Sequence, residues 1–250
     1  MDEKIKYNIK YSDTLWLRIA KFYTFFSYSE KFHNNLVKKF ITKFNPYNKT
    51  LIDIGFGSGQ LIYQLHIKYN MKVIGTDISE KTVTQFNKKI RKKKLQNIIA
   101  IKLNPYQETL PFKTNSTDFI TCNHVLEHVK NDLKLLQELK RVLKKDGIGI
   151  IMIPINEENL EVPTHLRKYN TKNFINLLKK LFNIYYYEEN DVITNFIRIL
   201  GVKNKIWSNT LKRIVIFIFS FIPFPFLYKI DKLLKKFLTP SQLMIIIGLK

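Results

Sequence analysis

Residues 50–155 alternate between short apolar runs and amphipathic stretches, and this alternation constrains the fold more than any other feature of the chain. The apolar runs predict buried strands, because each is short and is followed by glycine, asparagine, aspartate or proline. The five predicted strands are residues 50–54, 72–76, 98–103, 118–122 and 148–153. Strands that alternate with helices form right-handed βαβ units, so we expect a parallel sheet with helices on both faces.

Outside this stretch the pattern changes, and it divides the chain into four parts. Residues 1–49 are rich in aromatic residues and lysine at helical spacing, which predicts a helical N-terminal cap. Residues 50–190 form the predicted core, with a sixth strand over residues 182–187. A basic, apolar insertion follows over residues 191–240, and residues 241–250 contain the last strand. We therefore predict an α/β fold with a doubly wound, mostly parallel sheet of seven strands.

Three residues give local signals for helix ends. Ser79 and Asp132 each precede an amphipathic stretch, and side chains of these types commonly accept hydrogen bonds from the first amides of a helix. Gly147 follows the second of these helices, where a glycine in the left-handed conformation often ends a helix. We expect all three to mark helix boundaries.

The charge of the chain is strongly positive, with 42 basic and 20 acidic residues and a net charge of +22. Such a charge is typical of proteins that bind nucleic acids or anionic membranes. Only six of the basic residues are arginine, however, and arginine is the side chain that best makes paired contacts to phosphates and bases. A nucleic-acid partner is therefore the less favoured interpretation.

The cysteine content and the first residues indicate the compartment. Cys122 is the single cysteine, which excludes an internal disulfide and a zinc site built from cysteines. Charged residues occupy positions 2, 3, 4 and 6, where a signal peptide would place the start of an apolar run. We expect a cytoplasmic protein.

A glycine-rich loop, Asp53 to Gly59, lies between the first predicted strand and the helix that follows it. Glycines there allow a tight turn and a close approach of a ligand to the positive end of the helix. In an open α/β sheet, ligands bind in this crevice at the carboxyl ends of the strands. A dinucleotide fingerprint would need a glycine at position 60, where the chain has Gln60, so a nicotinamide oxidoreductase is disfavoured.

The spacing G-x-G-x-G after an acid, with Asp77 at the end of the second strand, resembles the first two motifs of class I S-adenosylmethionine-dependent methyltransferases. The resemblance implies that the three loop glycines line the methionine part of S-adenosylmethionine and that Asp53 orients its ammonium group. Asp77 would accept hydrogen bonds from the ribose hydroxyls. The cofactor-binding residues that the resemblance implies are Asp53, Gly55, Phe56, Gly57, Gly59, Asp77, Ile78 and Asn123.

Later segments are similar to the small-molecule, type 11-like branch of this family. They are residues 110–119, 124–129, 143–147 and 154–171. The resemblance implies methyl transfer to a small molecule, and we expect O-methylation of a lipid-like or glycan-linked acceptor. The family's acid near the adenine is absent, because residues 104–107 are Asn, Pro, Tyr and Gln. Two alternatives stay open: a nucleic-acid methyltransferase that uses the basic surface, and a binding module that holds the donor without transferring its methyl group.

His124, Glu127 and His128 have the spacing H-x-x-E-H of inverted zincin peptidases. The segment follows a central strand and not a long helix, so the peptidase interpretation is disfavoured. Glu127, His128 and His165 also resemble the divalent-metal ligands of methyltransferases that act on ribose or catechol-like hydroxyls. Alternatively, His124 or His128 acts as a general base without a metal, or the cluster has only a structural role. A divalent metal is the less favoured cofactor beside S-adenosylmethionine.

Residues 214–228 form a 15-residue apolar run with two prolines, flanked by basic residues. A bilayer-spanning helix needs about 20 apolar residues, so the run predicts no transmembrane helix. Basic flanks around an aromatic patch are typical of proteins that bind an anionic membrane at its surface. A lid over the acceptor pocket and a dimer contact are the alternatives. The membrane interpretation would place the protein at the inner membrane face.

Overall fold

A computed structural model describes residues 28–105, 107, 109–158, 162–196, 218–219 and 221–250 of the chain. These residues contain a seven-stranded sheet with the strand order β3-β2-β1-β4-β5-β7-β6. The strands are β1 (Thr50–Ile54), β2 (Lys72–Asp77), β3 (Ile98–Lys102), β4 (Thr117–Asn123), β5 (Leu143–Pro154), β6 (Phe182–Asn190) and β7 (Gln242–Leu249). The α-helices are α1 (Tyr28–Ile41), α2 (Gln60–Tyr69), α3 (Glu80–Lys92), α4 (Asp132–Val142), α5 (Thr171–Leu181) and α6 (Phe224–Leu234).

The first five strands pair in parallel, whereas β7 pairs antiparallel with both β5 and β6. This arrangement confirms the predicted doubly wound, mostly parallel sheet. The order of strands reverses between β1 and β4, where Ile54 pairs with Cys122. The carboxyl ends of these two strands therefore form the crevice in which open α/β sheets bind their ligands.

Apolar residues fill the space on both faces of the sheet. One buried cluster joins the sheet to α1, α2, α3 and α6, and the other joins it to α4 and α5. The interior strands read as nearly continuous apolar runs because both of their faces are covered. Phe224 at the start of α6 packs against Phe32 of α1, with 5.7 Å between ring centroids. The insertion thus contacts the N-terminal helix.

Two of the predicted helix-end signals are wrong in detail. Ser79 does cap α3, since its hydroxyl accepts a hydrogen bond from the Thr82 amide. The cap of α4 is Asn131 and not Asp132, because the Asn131 side chain accepts the bond from the Lys134 amide. Gly147 does not end α4 in the left-handed conformation, because the chain enters β5 at Leu143, directly after the helix.

The predictions for the N-terminal cap and for the apolar run can be compared with the structure only in part. Residues 1–27 of the predicted N-terminal cap, and residues 214–217 and 220 of the apolar run, lie outside the described residues. In the described part of the chain, no helix combines the length and apolar character needed to cross a bilayer.

Candidate active site

The glycine loop leaves β1 and turns sharply into α2. Gly55, Gly57 and Gly59 have φ values of +71°, +53° and +71°, in the region that side-chain-bearing residues rarely adopt. The amides of Gly55 and Phe56 both donate to the carbonyl of Thr76 at 2.8 and 3.0 Å, which fixes the loop to the end of β2. Gly59 is the N-cap of α2, so the loop leads directly to the positive end of that helix.

The three glycines face different surroundings. A methyl group on Gly55 would lie 2.4 Å from Cγ2 of Val125, and one on Gly59 would lie 2.4 Å from two ring carbons of Phe86. These two glycines therefore permit close packing. A methyl group on Gly57 would meet nothing within 4 Å. Gly57 is the loop position where a ligand can approach the backbone.

Asp53 is the penultimate residue of β1, next to this loop, and is 3% exposed. Its carboxylate accepts a hydrogen bond of 2.6 Å from the Thr121 hydroxyl on β4. Burial raises the pKa of Asp53 to about 7 and the charge of Asp77 adds to the shift, although the Thr121 bond opposes it. A cation such as an ammonium group would therefore bind best when this carboxyl group is ionised.

Asp77 ends β2 at the same edge of the sheet and is 8% exposed. One carboxylate oxygen accepts a hydrogen bond of 2.9 Å from the Ser79 amide, which orients the side chain at the start of α3. Ile78, between them, is half-buried. An oriented carboxylate at this position can accept hydrogen bonds from a pair of ribose hydroxyls.

Asn123 ends β4 on the opposite side of the crevice. Its side-chain oxygen is buried, and no described residue donates a hydrogen bond to it. Most buried polar atoms have a partner, so such an oxygen fits a site that contacts a ligand. Its neighbour His124 has a φ of +54°, a strained backbone conformation that is often found at functional sites.

His124 has polar neighbours at both ring nitrogens. Its Nε2 lies 2.9 Å from the amide oxygen of Gln242, whose nitrogen donates to Asn190. The Asn190 nitrogen in turn donates to the carbonyl of Glu188, which fixes both amide orientations and makes Nε2 of His124 a donor. The other nitrogen, Nδ1, lies 3.4 Å from the Glu127 carboxylate, close enough for an ion pair but outside hydrogen-bond geometry.

Glu127, His128 and His165 come together as the sequence resemblance implied. One ligand atom from each lies within 4.8 Å of the others. Burial alone would raise the pKa of Glu127, but the neighbouring His124 and His128 hold it below its usual value. Residues 126–128 form a short 3-10 helix, so the two histidines of the H-x-x-E-H segment do not lie on the face of an α-helix. A peptidase site of the zincin type is absent from this segment.

A second polar cluster beside the crevice was missed by sequence reasoning. The Nε2 atom of His33 on α1 lies 2.8 Å from the carboxylate of Asp191, which is fully buried. The ring of His33 stacks on that of His124, with 5.0 Å between centroids. Ser29 also donates to Asp191, at 3.3 Å. The arrangement is a histidine oriented by a buried carboxylate, a geometry that can support proton transfer.

Two further details concern the donor side of the crevice. The Ser58 hydroxyl of the glycine loop donates to the carboxylate of Glu30 on α1, so α1 contacts the loop directly. In the segment that lacks the family's acid, Tyr106 lies outside the described residues. Gln107 there bonds through its side chain to Thr109, at 3.3 Å.

Comparison with known proteins shows what the central part of the chain is similar to. Residues 52–151 match the family model described as a methyltransferase domain. The protein MJ1123 of Methanocaldococcus jannaschii is 39% identical over 103 residues, or 40% of this chain and 43% of that protein. The demethylmenaquinone methyltransferase of Lactobacillus johnsonii is 34% identical over 103 residues, or 40% of this chain and 42% of that protein. The chain thus spans less than half the length of these curated relatives.

A solved structure gives the same result. An S-adenosylmethionine-dependent methyltransferase from Aquifex aeolicus superposes with a TM-score of 0.52 and 25% identity, over 61% of this chain and 82% of that chain. Residues 52–151 of the chain are therefore similar to the methyltransferase domain of S-adenosylmethionine-dependent methyltransferases.

Proposed function

We propose that this protein transfers the methyl group of S-adenosylmethionine to a hydroxyl of a lipid-like small molecule, at the surface of an anionic membrane. The observation that carries the acceptor class is an exposed apolar and basic surface on α6 and its flanks. The position of the methyl donor is inferred from the crevice between β1 and β4. The chemical class of the acceptor is inferred from the exposed surface of α6 and the groove beside it.

The donor assignment follows the geometry of the crevice. The open space at Gly57 accommodates the methionine part of the donor, and Asp53 lies beneath it as a partner for the ammonium group. Asp77 accepts the ribose hydroxyls from the end of β2. Asn123 contributes an amide oxygen from β4, and Phe56 and Ile78 pack beside these groups.

The α6 surface consists of residues 221–237. Its aromatic and aliphatic side chains include Phe221, Phe226, Leu233 and Phe237, which are 63%, 61%, 59% and 80% exposed. It is unusual for a protein surface that contacts only water to expose four large apolar side chains to this extent within 17 residues. A lipid headgroup region can bury such side chains, because it offers an apolar layer next to polar groups.

Lysines surround the apolar residues of the α6 surface. Lys229, Lys232, Lys235 and Lys236 are all exposed. Each lysine near an anionic bilayer contributes about 1 kcal/mol of attraction, so the set favours membrane binding at low salt. Positive charges around an exposed apolar face match an anionic lipid surface better than a neutral protein partner.

A groove of about 720 Å³ lies beside this surface, between α1, α2 and α6. Tyr63, Tyr228 and Phe224 give it apolar walls, and Lys38 and Lys229 line its polar margin. None of its lining residues belongs to the donor crevice. We assign the groove to the tail or headgroup of the amphiphilic acceptor and not to its reacting hydroxyl.

Methyl transfer requires the protein mainly to orient the donor and the acceptor. S-adenosylmethionine supplies a sulfonium-bound methyl group that is already activated, so alignment of the acceptor gives most of the rate. The acceptor hydroxyl must lose a proton as its oxygen bonds to the methyl carbon. His124 and His128 are the predicted bases, and His33, held by Asp191, is a third candidate that the geometry adds.

The relatives support a small-molecule acceptor. The Lactobacillus johnsonii relative is named for demethylmenaquinone, a small molecule and not a nucleic acid. The scarcity of arginine argues in the same direction. We include O-methylation in the proposal because His33, His124 or His128 could accept a hydroxyl proton, and a peripheral location at the inner membrane face because of the α6 surface.

The test uses tritium in the methyl group of S-adenosylmethionine together with vesicles. We expect the protein to sediment with vesicles containing phosphatidylglycerol at low salt, and to transfer label to a phenolic lipid in those vesicles. Label in RNA, or no sedimentation with anionic vesicles, would overturn the proposal. Label on carbon instead of oxygen would refute only the O-methylation.

A matched pair of variants isolates the α6 surface. The pair Phe226→Ser and Phe237→Ser removes exposed apolar side chains from it, and should reduce vesicle binding at least tenfold. The control pair, Ile99→Ser and Leu133→Ser, removes side chains that are 50% and 41% exposed elsewhere. The control should bind vesicles like the unchanged protein, and equal losses in both pairs would contradict a specific surface.

A further inference from the structure

The Glu127 carboxylate is the least satisfied polar group described in the structure. Its side chain is 1% exposed, and neither oxygen has a hydrogen-bond partner among the described residues. A buried carboxylate is costly unless a cation or several donors compensate it. The nearest positive candidates are two imidazole rings, with Nδ1 of His124 at 3.4 Å and Nε2 of His128 at 3.8 Å.

The hydrogen bonds of His128 determine which of its nitrogens faces this carboxylate. Nδ1 lies 2.9 Å from the backbone carbonyl of Thr164, to which it donates its proton. In the neutral ring, Nε2 therefore carries a lone pair. That lone pair faces the Glu127 carboxylate at 3.8 Å, and either a proton on Nε2 or a metal ion between the two groups would remove their repulsion.

His165 is held in the same way. Its Nδ1 lies 2.7 Å from the carboxylate of Glu157, which is 1% exposed. The bond leaves Nε2 as the nitrogen with a lone pair when the ring is neutral. The rings of His165 and His128 meet edge to face, with 5.0 Å between centroids. Metal-binding histidines commonly donate their other N–H to a carbonyl or a carboxylate, as both rings do here.

We propose that Glu127, His128 and His165 form a binding site for one divalent transition-metal ion, such as Zn²⁺ or Mn²⁺. Their ligand atoms lie within 4.8 Å of one another. Two imidazoles and one carboxylate suit these ions, whereas Mg²⁺ and Ca²⁺ prefer sites built from oxygen atoms. Three protein ligands leave at least one coordination position for water or for an acceptor oxygen.

The site is accessible, as a functional metal site requires. The side chains of His128 and His165 are 30% and 11% exposed, while Glu127 is buried behind them. When the metal is bound, His128 is a ligand and cannot also act as the base. The proton of the acceptor hydroxyl would then pass to another group, and His33 is the candidate oriented by a buried carboxylate.

The test is calorimetric titration of the full chain, freed of metal with a chelator, with Zn²⁺, Mn²⁺ and Mg²⁺ in separate runs. We expect one Zn²⁺ or Mn²⁺ per chain, and at least 100-fold weaker binding of Mg²⁺. With Co²⁺, an absorption spectrum of a low-symmetry site should appear at the same stoichiometry, which gives a readout independent of enzymatic activity.

Variants separate ligands from supporting residues. His128→Gln and His165→Gln should each weaken metal binding at least 100-fold, and Glu157→Gln should weaken it about 10- to 100-fold, because it acts through His165. His33→Gln is the matched control, and it should retain both affinity and stoichiometry. Each variant is first shown to bind S-adenosylhomocysteine, so that a failure to fold is recognised.

Two outcomes would overturn the metal site. One is the absence of stoichiometric binding of either transition metal by a sample that binds S-adenosylhomocysteine. The other is unchanged binding in the double variant of His128 and His165. Neither outcome affects the proposed methyl transfer, because donor binding and vesicle sedimentation are measured without added metal.

Discussion

The loop glycines allow a quantitative test, because two of them have similar backbone conformations but different surroundings. Alanine at position 59 must adopt a φ of +71°, which costs about 1–2 kcal/mol for a residue with a side chain. Its methyl group would also lie 2.4 Å from two ring carbons of Phe86, which is buried. Overpacking of this kind costs about 1–3 kcal/mol. We therefore expect Gly59→Ala to lower the free energy of unfolding by about 2–5 kcal/mol.

Gly57→Ala is the matched control. Its φ of +53° carries a similar backbone cost of about 1–2 kcal/mol. No atom lies within 4 Å of the added methyl group, so no packing cost is expected. The methyl group would, however, occupy the space that we assign to the donor. We therefore expect a small loss of stability but at least tenfold weaker binding of S-adenosylhomocysteine.

Urea unfolding measures the stabilities and calorimetry measures the affinities. The midpoint of unfolding should fall much further for Gly59→Ala than for Gly57→Ala, with the same dependence on urea. The reasoning on packing is refuted if the two variants lose equal stability. The assignment of the donor site is refuted if Gly57→Ala binds S-adenosylhomocysteine as tightly as the unchanged protein.

Three further predictions concern buried or paired carboxylates. Burial raises the pKa of Asp53 to about 7, so this carboxyl group ionises as the pH rises from about 6 to 8. Calorimetry should therefore show that S-adenosylhomocysteine binds more tightly over this range. The variant Asp53→Asn should remove that dependence on pH. The same shift means that stability falls as the pH rises from 3.8 towards 7, where the folded state holds the proton more tightly than the unfolded chain. Burial would raise the pKa of Asp118, but hydrogen bonds from Thr50 and Lys144 lower it to about 2. In an acid titration, the stability that the ionised Asp118 contributes should therefore be lost as the pH falls from 3.8 to about 2. The variant Asp118→Asn should not show this loss. Asp191→Asn breaks a buried pair with His33 and should lower the free energy of unfolding by about 3 kcal/mol in urea titrations; no change would contradict the ion pair.

The sequence predicts the core of this fold well because its signals are local. The interior parallel strands are buried on both faces and so appear as short apolar runs, and the glycine loop needs its residues at fixed spacing. Local pattern and tertiary structure agree in these segments, which is typical of foldable sequences.

The errors arise where two local solutions compete. Asn131 and Asp132 are adjacent, and both side chains can accept hydrogen bonds from free amides, so the pattern alone does not select the cap. Glycine commonly occupies the position after a helix, so the sequence pattern predicts that Gly147 ends α4. Pairing of Leu143 with Thr117 instead extends β5 back to the end of α4.

The second polar cluster could not be predicted from the sequence for a different reason. His33 and Asp191 are 158 residues apart, and neither lies in a recognisable motif. Their contact depends on how α1 and the segment after β6 pack against the sheet. The ligand set of Glu127, His128 and His165 was named only through a family resemblance, and its supporting contacts to Thr164 and Glu157 came from the structure.

We propose that the crevice between β1 and β4 binds S-adenosylmethionine through the glycine loop and Asp77. The most direct test is calorimetric titration of the purified, nucleotide-free protein with S-adenosylhomocysteine, beside NADH and an Asp77→Ala variant. We predict saturable micromolar binding of S-adenosylhomocysteine, no binding of NADH, and at least tenfold weaker binding by the variant. A folded protein that does not bind S-adenosylhomocysteine, or a variant that binds it unchanged, would contradict the claim.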